Sequence, residues 1–157
     1  MLRLSVRIVA VIAAVAGIYF VCIVPYRANL TLREVSDRST VALGSERQTA
    51  AVVARDNIDR LERVEHARRL DPAWYMLYAG NCEVLDRLPD AVDAYTRAMR
   101  IDDRPEFYEN RAMDLLRLGR NDDAVADLTR AARFDPSVVE HLEGDLRLRV
   151  TAAAGLK

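Results

Sequence analysis

The chain has 157 residues, enough for one domain and a tail. Its 23 basic and 24 acidic residues leave a net charge of −1 and are interleaved, so no basic stripe points to a nucleic-acid partner. The two cysteines, Cys22 and Cys82, lie 60 residues apart, one in an uncharged apolar segment and one in an expected helix, which gives no disulfide framework. All basic residues but Lys157 are arginine, a composition that suits a GC-rich bacterial genome.

Residues 8–24, IVAVIAAVAGIYFVCIV, carry no charge. Seventeen residues lie at the short end of a spanning helix, roughly 17–25 residues. The alternative is a cleaved signal peptide. Its apolar region is usually only about 7–15 residues, and the best small-residue site here, Ala28, has bulky Tyr26 two residues before it. Residues 1–26 are therefore expected to form a retained signal anchor that contacts lipid through 8–24. Ala10, Ala13, Ala14 and Gly17 recur at i, i+3, i+4 and i+7. Such spacing allows close packing of a second membrane helix, although alanine is common in these segments anyway. Arg3 and Arg7 on one side nearly balance Arg27, Arg33 and Arg38 on the other, the latter diluted by Glu34 and Asp37. A short basic N-terminus before a single apolar segment is the signal-anchor layout. It places the N-terminus in the cytoplasm and the rest in the periplasm.

Residues 27–44 are mixed, with Leu30, Leu32, Val35, Val41 and Leu43 on no clear face, and read as a juxtamembrane linker or a loose helical stalk. Ser45 with Gln48 reads as a capping box, opening a helix over about 46–70. A helical domain is expected over 45–152.

Two helix pairs follow, over about 72–103 and 105–136. The stretch Phe107–Pro136 shows apolar or small residues at helical spacing (Phe107, Tyr108, Ala112, Leu115, Leu116), a stop at Gly119, and a second run (Ala124, Val125, Leu128, Ala131) ending before Pro136. Shifted by 33 residues without gaps, Trp74–Asp103 matches it at 12 of 30 positions, among them Tyr75/Tyr108, Ala79/Ala112, Ala91/Ala124 and Ala98/Ala131. Self-similarity at this period is the mark of a stacked helical array. After Pro136, Ser137 with Glu140 reads as another capping box, for a closing helix over 138–150 that covers the end of the array. The fold class expected is all-α.

The pattern resembles the tetratricopeptide repeat family. Tyr108, Ala112, Leu115, Gly119, Ala124, Leu128, Ala131 and Pro136 stand where that motif has an aromatic, a small residue, an apolar residue, a turn, then Ala, a bulky residue, Ala and Pro. In the first copy Asp86 replaces the turn glycine and Asp103 the terminal proline. The resemblance implies an α-solenoid whose first helices line a concave groove. In the first copy the lining would be Ala73, Met76, Gly80, Glu83 and Val84; in the second, Glu106, Glu109, Met113, Leu116 and Arg117. Trp74, one step off the motif's aromatic position, is counted as a partly exposed anchor for a partner, the alternative being that it packs under the preceding helix.

Nothing in the chain composes a catalytic site. His66 and His141 stand alone, no Cys/His spacing suits zinc, no glycine-rich loop cradles phosphate, and the acid pairs Asp102–Asp103 and Asp122–Asp123 lie at helix ends. No cofactor, metal or small-molecule substrate is expected. The reading is a non-catalytic, membrane-anchored scaffold or adaptor of the bacterial inner membrane that binds a protein partner. The alternative is a constitutive accessory subunit of a larger inner-membrane complex.

Overall fold

The computed structural model describes residues 12–156. They are helical apart from turns, and no strand occurs among the described residues. Residues 12–18 lead through a π turn, Tyr19–Ile23, into α1, Val24–Leu43. Then come α2, Arg47–Arg68; α3, Pro72–Val84; α4, Leu88–Met99; α5, Pro105–Arg117; and α6, Asn121–Phe134. A 3-10 turn, Pro136–His141, and α7, Gly144–Ala154, close the described chain. The helix Ile12–Ala42 is long and apolar enough to cross a membrane. The π turn sits just before Pro25, whose ring would clash with the carbonyl four residues back in an unbroken α-helix. There the ladder widens, and the Val24 N–H donates to the Tyr19 carbonyl, a five-residue step.

The turns inside the two sequence copies share their hydrogen bonds. Each first helix ends in the same six-to-one bond: Arg87 N–H donates to the Cys82 carbonyl at 2.9 Å, and Arg120 N–H to the Leu115 carbonyl at 2.8 Å. That bond needs a left-handed residue just before it. Gly119 supplies it at φ 74°, and Asp86 adopts it at φ 59° despite its side chain. Arg87 then donates to Asp90 at 2.7 Å and Arg120 to Asp123 at 2.8 Å, the same clasp in both copies. The carboxylates of Asp71 and Asp135 cap the following turns, accepting from Ala73 N–H and Ser137 N–H.

Three sequence expectations are corrected. Residues 27–44 are not a linker: 27–43 belong to α1, which buries Ala28, Leu32, Val35 and Ala42 against α2. The face was hidden because Leu30 and Val41, both exposed, break the apolar pattern, while Ala28, Ser39 and Ala42 fill three of the inward positions. Ser45 and Ser137 cap nothing through their side chains. Ser45 Oγ donates back to the Ala42 carbonyl, Glu46 precedes α2 without a side-chain bond, and Asp135 caps the turn after α6. The closing helix over 138–150 is instead a 3-10 turn and a separate helix, split at Leu142–Glu143, where the backbone is extended. Its apolar residues still point inward: Val138, Val139, Leu142 and Val150 are buried.

The helices therefore stack as three consecutive pairs, α1–α2, α3–α4 and α5–α6, with the C-terminal pieces on α6. One core lies between the first two pairs around Leu61, Trp74, Cys82 and Tyr95, and reaches Phe107 of the third. A second lies around Leu115, Leu128 and Val150. Alanines at the closest crossings (Ala79, Ala91, Ala98, Ala112, Ala124, Ala131) are fully buried, and their small size is what lets the backbones approach.

Candidate partner-binding groove

A concavity with an apolar wall lies between the α1–α2 pair and α3. Ser39 and Ala42 of α1 and Ala50 and Ala54 of α2 form one side; Met76, Gly80, Glu83 and Val84 of α3 form the other. On a helix, positions 76, 80, 83 and 84 fall on one face. The volume is about 260 Å³. That is below the roughly 300–1,000 Å³ of small-molecule sites. Gly80 keeps it open: a Cβ there would meet nothing within 4 Å.

A buried polar triad holds the two sides in register. Asn57 Nδ2 donates to Asn81 Oδ1 at 3.0 Å and to Ser39 Oγ at 3.1 Å; Asn81 Nδ2 donates to the Leu77 carbonyl at 2.7 Å. α1, α2 and α3 each contribute one side chain. Asn57 Oδ1, fully buried, has no partner among the described residues. A slip of any one helix would leave more of these groups unpaired, at about 1–3 kcal/mol each.

The next junction, between α3–α4 and α5, repeats the scheme with acids. Asp114 aligns with Asn81 at the 33-residue step and is equally buried, 2% exposed. It lies near Glu83, which accepts from Tyr95 Oη at 2.6 Å. Burial first, then the neighbouring Glu83 charge, pushes the Asp114 carboxyl up to about 7. Burial and the bond to Glu83 hold the Tyr95 phenol protonated far above its usual range. Arg111 crosses from α5 to α6 with both arms on Asp127, at 2.7 and 2.6 Å, and a third bond to Thr96 Oγ1.

Of the residues expected to line a groove, the structure brings together Met76, Glu83 and Val84, all partly buried around the same space. Those of the second copy lie elsewhere. Leu116 packs into the second core. Arg117 reaches across to Asp86 at 2.9 Å, and Met113 is 48% exposed. Glu109 is partly desolvated, which raises its carboxyl, with Glu106 and Asp135 adding to the shift. Trp74 is corrected outright: it is 4% exposed, stacks on Tyr78 with ring centroids 5.1 Å apart, and donates from Nε1 to the Leu61 carbonyl at 2.9 Å. It is a core residue of the α2–α3 junction and offers no surface to a partner. The signal was in the register, since Trp74 aligns with Phe107, which is also buried. The α1 side of the groove was missed because α1 was not read as a packed helix.

On the N-terminal helix Ala13, Ala14 and Gly17 are exposed, and a Cβ on Gly17 would meet nothing within 4 Å; Ala10 lies outside the described residues. Both cysteines are free. Cys82 is buried, and burial pushes its thiol up to about 11, which leaves it inert. Comparison with protein-family models, with curated proteins and with solved structures found no match to this chain.

Proposed function

We propose that this chain is a single-pass, membrane-anchored scaffold of the tetratricopeptide-repeat type, with its helical domain in the periplasm of a bacterial cell. It holds a partner protein in the groove between α1–α2 and α3 and catalyses nothing. The observation that carries the reading is the groove itself. Alanine, Met76 and Val84 supply an apolar wall and Glu83 a charged rim, the composition of a protein-binding surface. The length and apolar character of the N-terminal helix support the anchor. The 33-residue self-similarity and the duplicated turn chemistry support the repeat family.

The alternative, a fixed subunit of a larger membrane complex, drew its weight from a shortage of repeats. Arrays of this kind need about three repeats to stand alone. The α1–α2 pair gives the array a third helix pair, so a partner is not required to complete the domain. That favours the adaptor.

The test is a Gly80→Leu variant. Leucine at this position fills the groove, and the free space around Gly80 lets the fold accept it. Purified in mild detergent, the wild-type chain is expected to bring down a partner in variable, exchangeable amounts, and the variant to lose it. Unchanged recovery with Gly80→Leu would remove the groove from the reading. A fixed stoichiometry that survives purification would favour the subunit.

A further inference from the structure

A second concavity lies at the other end of α1, where the N-terminal apolar helix meets α2. It is a crevice of about 710 Å³, and its two ends differ in chemistry. Tyr19, Phe20 and Val24 line one end; Arg27 of α1 and Arg63 and His66 of α2 line the other. Glu34 is the one carboxylate in the lining, and Arg60 holds it at 2.9 Å while also gripping Asp56. Arg27 and Arg63 make no ion pair among the described residues. The free charge of the crevice is therefore positive.

One bond ties the crevice to the apolar helix directly. Arg68 Nη2, at the end of α2, donates to the Pro25 carbonyl at 2.7 Å. This holds the lower end of α2 beside the last apolar residues of the helix. The turn that follows projects Leu70, 77% exposed, next to Arg69. Aromatic and aliphatic side chains below, unpaired arginines above and an exposed leucine beside them match the layers of a bilayer surface, from acyl chain to phosphate.

We propose that this crevice binds an anionic glycerophospholipid. Its phosphodiester sits between Arg27 and Arg63, and an acyl chain lies along Phe20 and Val24. The inference rests on the anchored reading given above. Arginine forks take phosphate oxygens two at a time, which makes a pair of them a better phosphate seat than a diffuse charge. Bound lipid fixes α2 against the membrane surface and so sets the angle at which the partner groove is presented.

The test uses the full chain in detergent, stripped of native lipid and titrated with phosphatidylglycerol or phosphatidylcholine while bound lipid is counted by native mass spectrometry. The wild type is expected to keep phosphatidylglycerol at least tenfold more tightly than phosphatidylcholine. Arg27→Gln and Arg63→Gln are each expected to weaken it about fivefold, the effect of one arginine at an anionic surface. Arg147→Gln, on α7, leaves it unchanged. An equal affinity for the two lipids, or a preference untouched in the Arg27→Gln/Arg63→Gln pair, overturns the proposal. So does glycerol phosphate binding as tightly as the lipid, since the site would then belong to a soluble anion. Flotation of the chain with membranes is read separately. A chain that floats without lipid preference refutes the crevice and leaves the anchor standing; a chain that does not float refutes both.

Discussion

Asp114 is the residue at which this fold spends stability. In the unfolded chain its carboxyl ionises near 3.9; in the fold it is held up to about 7, by burial first and by Glu83 second. The folded state thus binds the proton more tightly than the unfolded one. The neutral group's contribution is complete below pH 4, drains away as pH climbs towards 7, and is gone above it. An asparagine in its place would mimic the neutral acid at all pH values. Asp114→Asn is expected to raise stability at pH 8 by on the order of 2 kcal/mol and to change it little at pH 4, read from urea midpoints at the two pH values. A midpoint that shifts equally at both would place the effect in packing and not in ionisation. The left-handed turn residues give a second comparison. Asp86 and Gly119 occupy the same turn position at φ 59° and 74°. Gly119→Ala is expected to cost about 1 kcal/mol, because a Cβ there strains the backbone whatever the space around it. Asp86→Gly relieves the same strain and loses only an exposed pair to Arg117, so it is expected to raise the melting temperature by a few degrees.

At the scale of elements the decisive one is α1. If residues 27–44 were a linker, a fragment starting at residue 45 would fold unaided. The packing says otherwise: Val35 and Leu61 are fully buried where α1 meets α2, and Ser39 completes the triad with Asn57 and Asn81. Without α1 the fragment 45–157 exposes that face and leaves the two asparagines short of partners. It is expected to show a broad, low-temperature unfolding transition, and the fragment 27–157 a single sharp one, by circular dichroism. The contrast also marks how much was legible in the sequence. The helix pairs α3–α4 and α5–α6, their turns and their alanine contacts follow from local chemistry that recurs 33 residues apart. Gly119, Asp123 and Pro136 announce boundaries by themselves. α1 was illegible because its inward face is built from Ala28, Ser39 and Ala42 as much as from Leu32 and Val35, and because solvent-facing Leu30 and Val41 blur the period. The groove was half legible for the same reason: its α3 side lies in a recognisable repeat and its α1 side does not. The final turn was misread because Ser137 and Glu140 have capping-box spacing, while Asp135, with Pro136 after it, captures the Ser137 N–H first.

For the whole molecule the proposed anchor leaves two sides of a membrane open to the domain, and the basic residues bear on that choice in two different ways. Insertion is decided before folding, on the charges that flank the span in sequence. There Arg3 and Arg7 stand against Arg27, Arg33 and Arg38, two of these offset by Glu34 and Asp37. Folding then brings Arg63 into the crevice with Arg27 and ties Arg68 to Pro25. These late arrivals favour an anionic surface but take no part in choosing the side. The native cysteines cannot report the side, since the Cys82 thiol is buried and inert and Cys22 lies within the apolar helix. A reporter at an exposed site can. In a Cys22→Ser/Cys82→Ala background, Glu140→Cys places a thiol on the solvent side of the 3-10 turn, far in sequence from the anchor. A membrane-impermeant maleimide is expected to label it in intact bacterial cells. Labelling only after lysis would put the groove and the crevice on the cytoplasmic face, where the anionic surface potential draws on each arginine by about 1 kcal/mol. The lipid inference would survive that result, while the search for the groove's partner would move to the other compartment.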